Sequence, residues 1–140
     1  MYEQFSDKNY NPITAINLTE LKNTPSYTTR KYNDAMYLGN IVNSQRNGTG
    51  IMRYFNGRIF EGQWLNDQRD GKGYEKYANG NIYEGDFKCG KAYGKGVYKW
   101  TNGEVYDGEW REGLKHGDGV WKGVHSDSYI GEWKFSKADG

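Results

Sequence analysis

The side chains able to do chemistry are few, and their spacing works against it. His116 and His125 fall at unrelated positions. Metal ligation needs three or four converging ligands, and neither a Cys nor a second His stands at ligand spacing from either. Cys89 sits in Lys88-Cys89-Gly90-Lys91 and reads as an ordinary thiol of an exposed loop. No His partner is evident to make it a nucleophile, and a single cysteine forms neither an intrachain disulfide nor a four-thiolate zinc site. Gly71-Lys72-Gly73 and Gly94-Lys95-Gly96 have the look of phosphate loops. The Gly-x4-Gly-Lys-Ser/Thr pattern is missing, however, and no helix follows to present its N-terminus. Glu61, Glu84 and Asp107 read as a solvated row rather than a facing acid–base pair. The expectation is therefore no catalytic residue, no cofactor site and no metal site: the chain is not an enzyme.

The chain has 140 residues, the size of one domain, and a formal net charge of +1. That balance excludes a polybasic nucleic-acid arm or an acidic tail as the main feature. Leu, Ile, Val and Phe total only 22 residues, too few for an aliphatic core, while Tyr (13), Trp (5) and Phe (5) bring aromatics to 16%. Any core must be built from rings. No apolar run is long enough for a transmembrane helix, and the N-terminal MYEQFSDKNYN lacks the basic and apolar regions of a secretory signal. With one cysteine, a reducing, cytoplasmic location is expected. Asn17-Leu18-Thr19 and Asn47-Gly48-Thr49 match the glycosylation pattern by chance on this reading.

All 20 glycines lie at or after Gly39 and both prolines lie before it. Residues 1–36 form a non-repeat leader with one short helix expected around Ile13–Leu21, packing on the first repeat or on a partner. Residues 37–140 repeat. Tyr37, Phe60, Tyr83, Tyr106 and Tyr129 recur every 23 residues, each followed two positions later by Gly and four positions later by Ile41, Trp64, Phe87, Trp110 or Trp133. A polar loop, a Gly-x-Gly, a further ring (Tyr54, Tyr77, Trp100) and Asn-Gly (56–57, 79–80, 102–103) complete the unit. A fixed period of this length marks a repeat array.

Each unit alternates with period two. Tyr83, Gly85 and Phe87 face one way and Glu84 and Asp86 the other; Gly96, Tyr98 and Trp100 oppose Lys95, Val97 and Lys99. Asn-Gly between alternating segments predicts tight type I′ hairpins, with the polar hexapeptides as longer loops on the opposite edge. The fold class that follows is all-β: a single-layer antiparallel meander of about nine strands, roughly 40 Å long. A glycine between two rings removes a Cβ, so that a neighbouring ring can lie across bare backbone.

Tyr83-Glu84-Gly85-Asp86-Phe87 and Tyr106-Asp107-Gly108-Glu109-Trp110 closely resemble the MORN repeat (membrane occupation and recognition nexus), and the resemblance spans residues 37–140. It implies a rod-like or gutter-shaped single sheet of hairpins with no common enzymatic activity. Similar proteins are scaffolds and docking modules of axonemes, the cortical cytoskeleton and membrane junctions, or regulatory segments of lipid kinases and methyltransferases. Repeat one departs from the pattern at Ile41 and Ser44. Repeat four departs at Gly123 and at His125-Ser126, which predicts a looser or reshaped hairpin. The last unit stops at Gly140, halfway through a strand pair, so a longer parent polypeptide is expected.

Two surfaces could bind a partner. One is the ring face: Tyr54, Trp64, Tyr77, Tyr83, Phe87, Trp100, Tyr106, Trp110 and Trp133, with Tyr37, Phe60 and Tyr129. These rings are either simply the core of the array or a strip for a helical or extended segment of another protein. The other is a weakly basic edge of Lys88, Lys91, Lys95, Arg111 and Lys115, facing anionic phospholipid. The expected function is a non-catalytic scaffold of a ciliary, axonemal or cortical cytoskeletal assembly, with no nucleic-acid partner. The alternatives are a peripheral phospholipid-binding module, or the N-terminal regulatory segment of a longer enzyme such as a phosphatidylinositol phosphate kinase.

Overall fold

The computed structural model describes residues 10–137; the expectation attached to Gly140 lies outside them. One short helix, α1 (Leu18–Lys22), precedes ten strands: β1 (Tyr27–Lys31), β2 (Ala35–Val42), β3 (Gln45–Tyr54), β4 (Ile59–Leu65), β5 (Gln68–Lys76), β6 (Ile82–Lys88), β7 (Lys91–Lys99), β8 (Val105–Arg111), β9 (Leu114–Lys122) and β10 (Ser128–Lys137). They form one antiparallel sheet in the order β1 to β10, each strand paired only with its neighbours in sequence. The meander is as expected, with one strand more: the leader itself supplies β1, whose Tyr27–Lys31 pair with Met36–Asn40.

Register explains how one layer makes a core. Gly39, Gly50, Gly62, Gly73, Gly85, Gly96, Gly108, Gly119 and Gly131 sit opposite one another in a single row across the sheet. Rings lie across that bare row: a Cβ placed on Gly96 would come 2.5 Å from Cζ and Cε1 of Tyr83. Tyr37, Phe60, Tyr83 and Tyr106 are consequently buried although the described residues form no second sheet. Between them run edge-to-face contacts in one unbroken chain, from Tyr37–Trp64 (5.6 Å) through Phe60, Phe87 and Tyr83–Trp110 (5.3 Å) to Tyr106–Trp133 (5.3 Å) and Tyr129. Each such pair adds about 0.5–1.5 kcal/mol beyond the area it buries. The indoles are fixed as well, since Trp64 Nε1 donates to Gly50 O (3.2 Å) and Trp110 Nε1 to Gly96 O (3.0 Å).

The turns reverse the expected assignment. Positive φ at both central residues, the type I′ requirement, occurs at Asn43-Ser44, Asn66-Asp67, Cys89-Gly90 and Glu112-Gly113. The tight hairpins are therefore inside the polar hexapeptides. At the Asn-Gly sites only Gly57, Gly80 and Gly103 have positive φ. There the loops hold three residues, closed by Tyr54 N to Arg58 O (2.8 Å) and its equivalents. Asn56 Oδ1 accepts from Arg58 N at 3.0 Å, and Asn79 and Asn102 repeat the contact. Asparagine thus acts here through its carboxamide as an Asx turn, not through a left-handed backbone. The hairpin at His125-Ser126 is not looser in form: Gly123 N reaches Asp127 O at 2.8 Å and Ser126 takes the left-handed position.

Two asparagines that match the glycosylation pattern have structural partners. Asn17 caps α1 by accepting from Glu20 N, and Asn47 accepts from Asn66 N. The helix is shorter than expected, beginning at Leu18 rather than Ile13.

The leader crosses the face opposite the rings, and this corrects the reading of Glu61 as solvated. Its carboxylate is 1% exposed. It accepts hydrogen bonds from Tyr10 Oη, from Ile13 N (2.8 Å) and from Thr14 N (2.8 Å). Arg53 stacks on Tyr10 at 4.3 Å. Charge-assisted bonds of this kind contribute about 1.5–3 kcal/mol each. In Glu61→Gln an NH2 faces those donors. Amide exchange at Ile13 and Thr14 should then accelerate about tenfold or more, while the Tyr83 and Val97 amides keep their protection. Unchanged exchange at Ile13 and Thr14 would show that Glu61 does not hold the leader.

Candidate functional site

The ring face divides into two tiers. Trp64, Tyr83, Phe87, Tyr106 and Trp110 are buried among themselves, so their edges are used up in packing. Tyr54, Tyr77, Trp100 and Trp133 are half-buried against that core and keep surface toward solvent. Tyr77 and Trp100 flank Tyr98, at 5.8 Å and 4.6 Å between centroids. Of the residues expected to meet a partner, this outer tier is the part that can be touched without unfolding the sheet.

The buried phenols stay protonated and act as donors. Tyr37 Oη bonds Asn40 O (2.9 Å), Tyr83 Oη bonds Asp86 O (2.7 Å) and Tyr106 Oη bonds Glu109 O (3.0 Å). Each acceptor belongs to the strand irregularity that follows the glycine. Burial, with the Glu109 charge adding to it, pushes the Tyr106 phenol up to about 12. Burial also raises Tyr83 and Tyr37, with the Asp86 charge adding at Tyr83.

Cations cap the rings at one repeat position. Arg46 lies 4.6 Å over Trp64, Arg69 lies 5.5 Å over both Phe60 and Phe87, and Lys115 lies 4.6 Å over Trp133. Arg46 Nε also pairs with Asp67 Oδ1 at 2.7 Å. Burial would raise that carboxyl, yet the bonds from Arg46 N and Nε and the guanidinium charge hold it below the usual carboxylate range. The third repeat has Ala92 in this column, beside a cavity of about 150 Å³.

In the neighbouring column the apolar Met52, Tyr98 and Trp121 are interrupted by Glu75. Its side chain is 2% exposed and held by Arg58 and by Arg69 Nη1 at 2.6 Å. One 23-residue period further on, Asn81 and Tyr98 stand where Arg58 and Glu75 do, and Asn81 Nδ2 donates to Tyr98 Oη at 3.2 Å. Composition and periodicity did not single out this ion cluster, although a charged residue in an apolar column was its visible signal.

The expected lipid edge is smaller than its five residues. Lys115 is 3% exposed and capped by rings, so it is not a surface cation. Lys95 stands on the back face opposite Glu109. Lys88, Lys91 and Arg111 remain at the tight-turn edge, with Glu112 beside them. Cys89 is exposed in the same turn.

The back face carries a larger open cleft of about 590 Å³ between the leader and the sheet, lined in part by Ile16, Leu21, Gln63, Lys72 and Tyr74. Lys72, which lines it, pairs with Asp86. The sequence held no sign of it, because the cleft exists only through the course of the leader. Among the described residues, no three His, Cys, Asp or Glu side chains converge as a metal site.

A face of half-covered rings with a fixed hydrogen-bond framework can recognise and hold an apolar surface. Among curated proteins no match to the chain is found. The family model of the MORN repeat matches residues 37–57, 60–82, 83–105, 106–124 and 129–140.

Proposed function

This chain belongs to the MORN-repeat family, whose repeats are protein- and membrane-interaction modules, and from that premise we propose that it is a non-catalytic protein–protein scaffold. It docks a helical or extended segment of another protein on the outer ring tier, as a cytoplasmic component of a ciliary, axonemal or cortical cytoskeletal assembly. The observation carrying this reading is that Tyr54, Tyr77, Trp100 and Trp133 stay half-open while the rings beneath them are sealed. Amphipathic rings held at low entropy cost suit the centre of an interface. A lipid surface is supported less, because two of the five basic residues named for it face elsewhere: Lys115 into the rings and Lys95 toward Glu109.

The test is affinity capture from native lysate with the wild-type chain and with folded Trp100→Ala and Tyr77→Ala variants. A partner retained at high salt by wild type and lost by both variants is expected. Equal capture by all three would remove the ring tier as the site. Sedimentation with phosphatidylserine vesicles that falls with salt and is unaffected by Trp100→Ala would favour the membrane instead.

A further inference from the structure

We propose that the cavity at Ala92 is an arginine-binding notch, filled in the complex by a guanidinium from the docked partner. The inference rests on the docking function above and specifies the chemistry the partner brings. The repeats themselves supply the template. Arg69 lies over the ring nine residues before it, Phe60, and the ring eighteen after it, Phe87. Lys115 lies over the equivalents, Tyr106 and Trp133. For residue 92 the same offsets give Tyr83 and Trp110, and both line the cavity.

The polar end of the notch is repeated as well. Arg46 Nη2 donates to Asp67 O at 3.0 Å and Arg69 Nη2 to Gly90 O at 2.8 Å. Advancing one repeat gives Gly113 O, again in the cavity lining. Its tight turn is in place, since Gly113 N donates to Ala92 O at 2.9 Å, as Gly90 N does to Arg69 O. Rings, carbonyl and turn are all present; the side chain at 92 is short, and Tyr98 and Gly113 stand where Arg69 and Arg46 find the carboxylates of Glu75 and Asp67. A guanidinium stacks on ring faces and donates in a fixed plane, which is what these walls accept. Arg58, Arg69 and Lys91 also border the space, the two arginines paired with Glu75. Arg46 and Arg69 already occupy successive repeats, so a cation one repeat further on has a precedent in the same sheet.

The probe is the tripeptide acetyl-Gly-Arg-Gly-amide, titrated into the full chain while the Trp110 indole N–H resonance is followed by NMR. A saturable shift at millimolar concentration is expected, with at least tenfold weaker binding of the citrulline peptide, which keeps the shape and loses the charge. Ala92→Arg should fill the notch from within, abolish the shift and melt at or above the wild-type temperature. No saturable shift in wild type, or equal binding of the citrulline peptide, overturns the proposal with no variant involved. An undiminished shift in folded Ala92→Arg does the same. A partner lost by Trp100→Ala but retained by Ala92→Arg sinks the notch alone. Capture indifferent to Trp100→Ala sinks the docking function, while the tripeptide result still decides the notch.

Discussion

Gly96→Ala is expected to cost the array about 3 kcal/mol or more, at or above the upper range for overpacking a core. The new methyl would lie 2.5 Å from Cζ and Cε1 of Tyr83. The ring cannot retreat, because its hydroxyl is tied to Asp86 O and its edge meets Trp110 and Phe87. Backbone strain is no part of this, since Gly96 is not among the positive-φ residues. Urea unfolding followed by circular dichroism would measure it, and a double-mutant cycle identifies the cause. Tyr83→Ala alone should cost about 3–5 kcal/mol. Combined with Gly96→Ala it should cost clearly less than the sum, because the clash has gone. Simple additivity would mean that the glycine serves some purpose other than bearing the ring.

Glu75→Ala should destabilise by about 3 kcal/mol, because it strands two guanidiniums over the rings. The value sits at the low end of the range for broken buried pairs, since the Arg58 side chain is 31% exposed. Grafting the whole set from one repeat further on, Glu75→Tyr with Arg58→Asn and Arg69→Ala, should return stability to within about 1 kcal/mol of wild type, as replacements of buried ion pairs by packed groups commonly do. Asn81, Tyr98 and Ala92 show that the sheet accepts that set. A Glu75→Ala variant as stable as wild type would mean that the carboxylate holds nothing. A graft as damaging as the single change would mean that repeat two has packing of its own.

Much of the architecture was legible because it is periodic. Ring, glycine and ring at intervals of two fixed the strand faces, and a constant 23-residue spacing fixed the order of pairing. The turns were misassigned because Asn-Gly was given its commonest geometry. Three residues between the closing pair, Tyr54 and Arg58, leave only the glycine left-handed. Meanwhile Asn43-Ser44 and Asn66-Asp67 adopt the two-residue form without the Asn-Gly signature. The leader was illegible for a different reason. Nothing near Ile13 announces that its amide will meet Glu61, 48 residues away. Within the site, Glu75 and Ala92 were hidden by the regularity around them, and comparing repeats column by column is what exposes both.

Pairing every strand only with its neighbours in sequence also sets how the protein bears tension. A pull between β1 and β10 is not shared by many ladders at once. It falls on the outermost pair, which parts and hands the load inward, as a zipper opens tooth by tooth. Such a tether yields early and in small steps, and re-forms the same way, since each hairpin needs only the one beside it to close again.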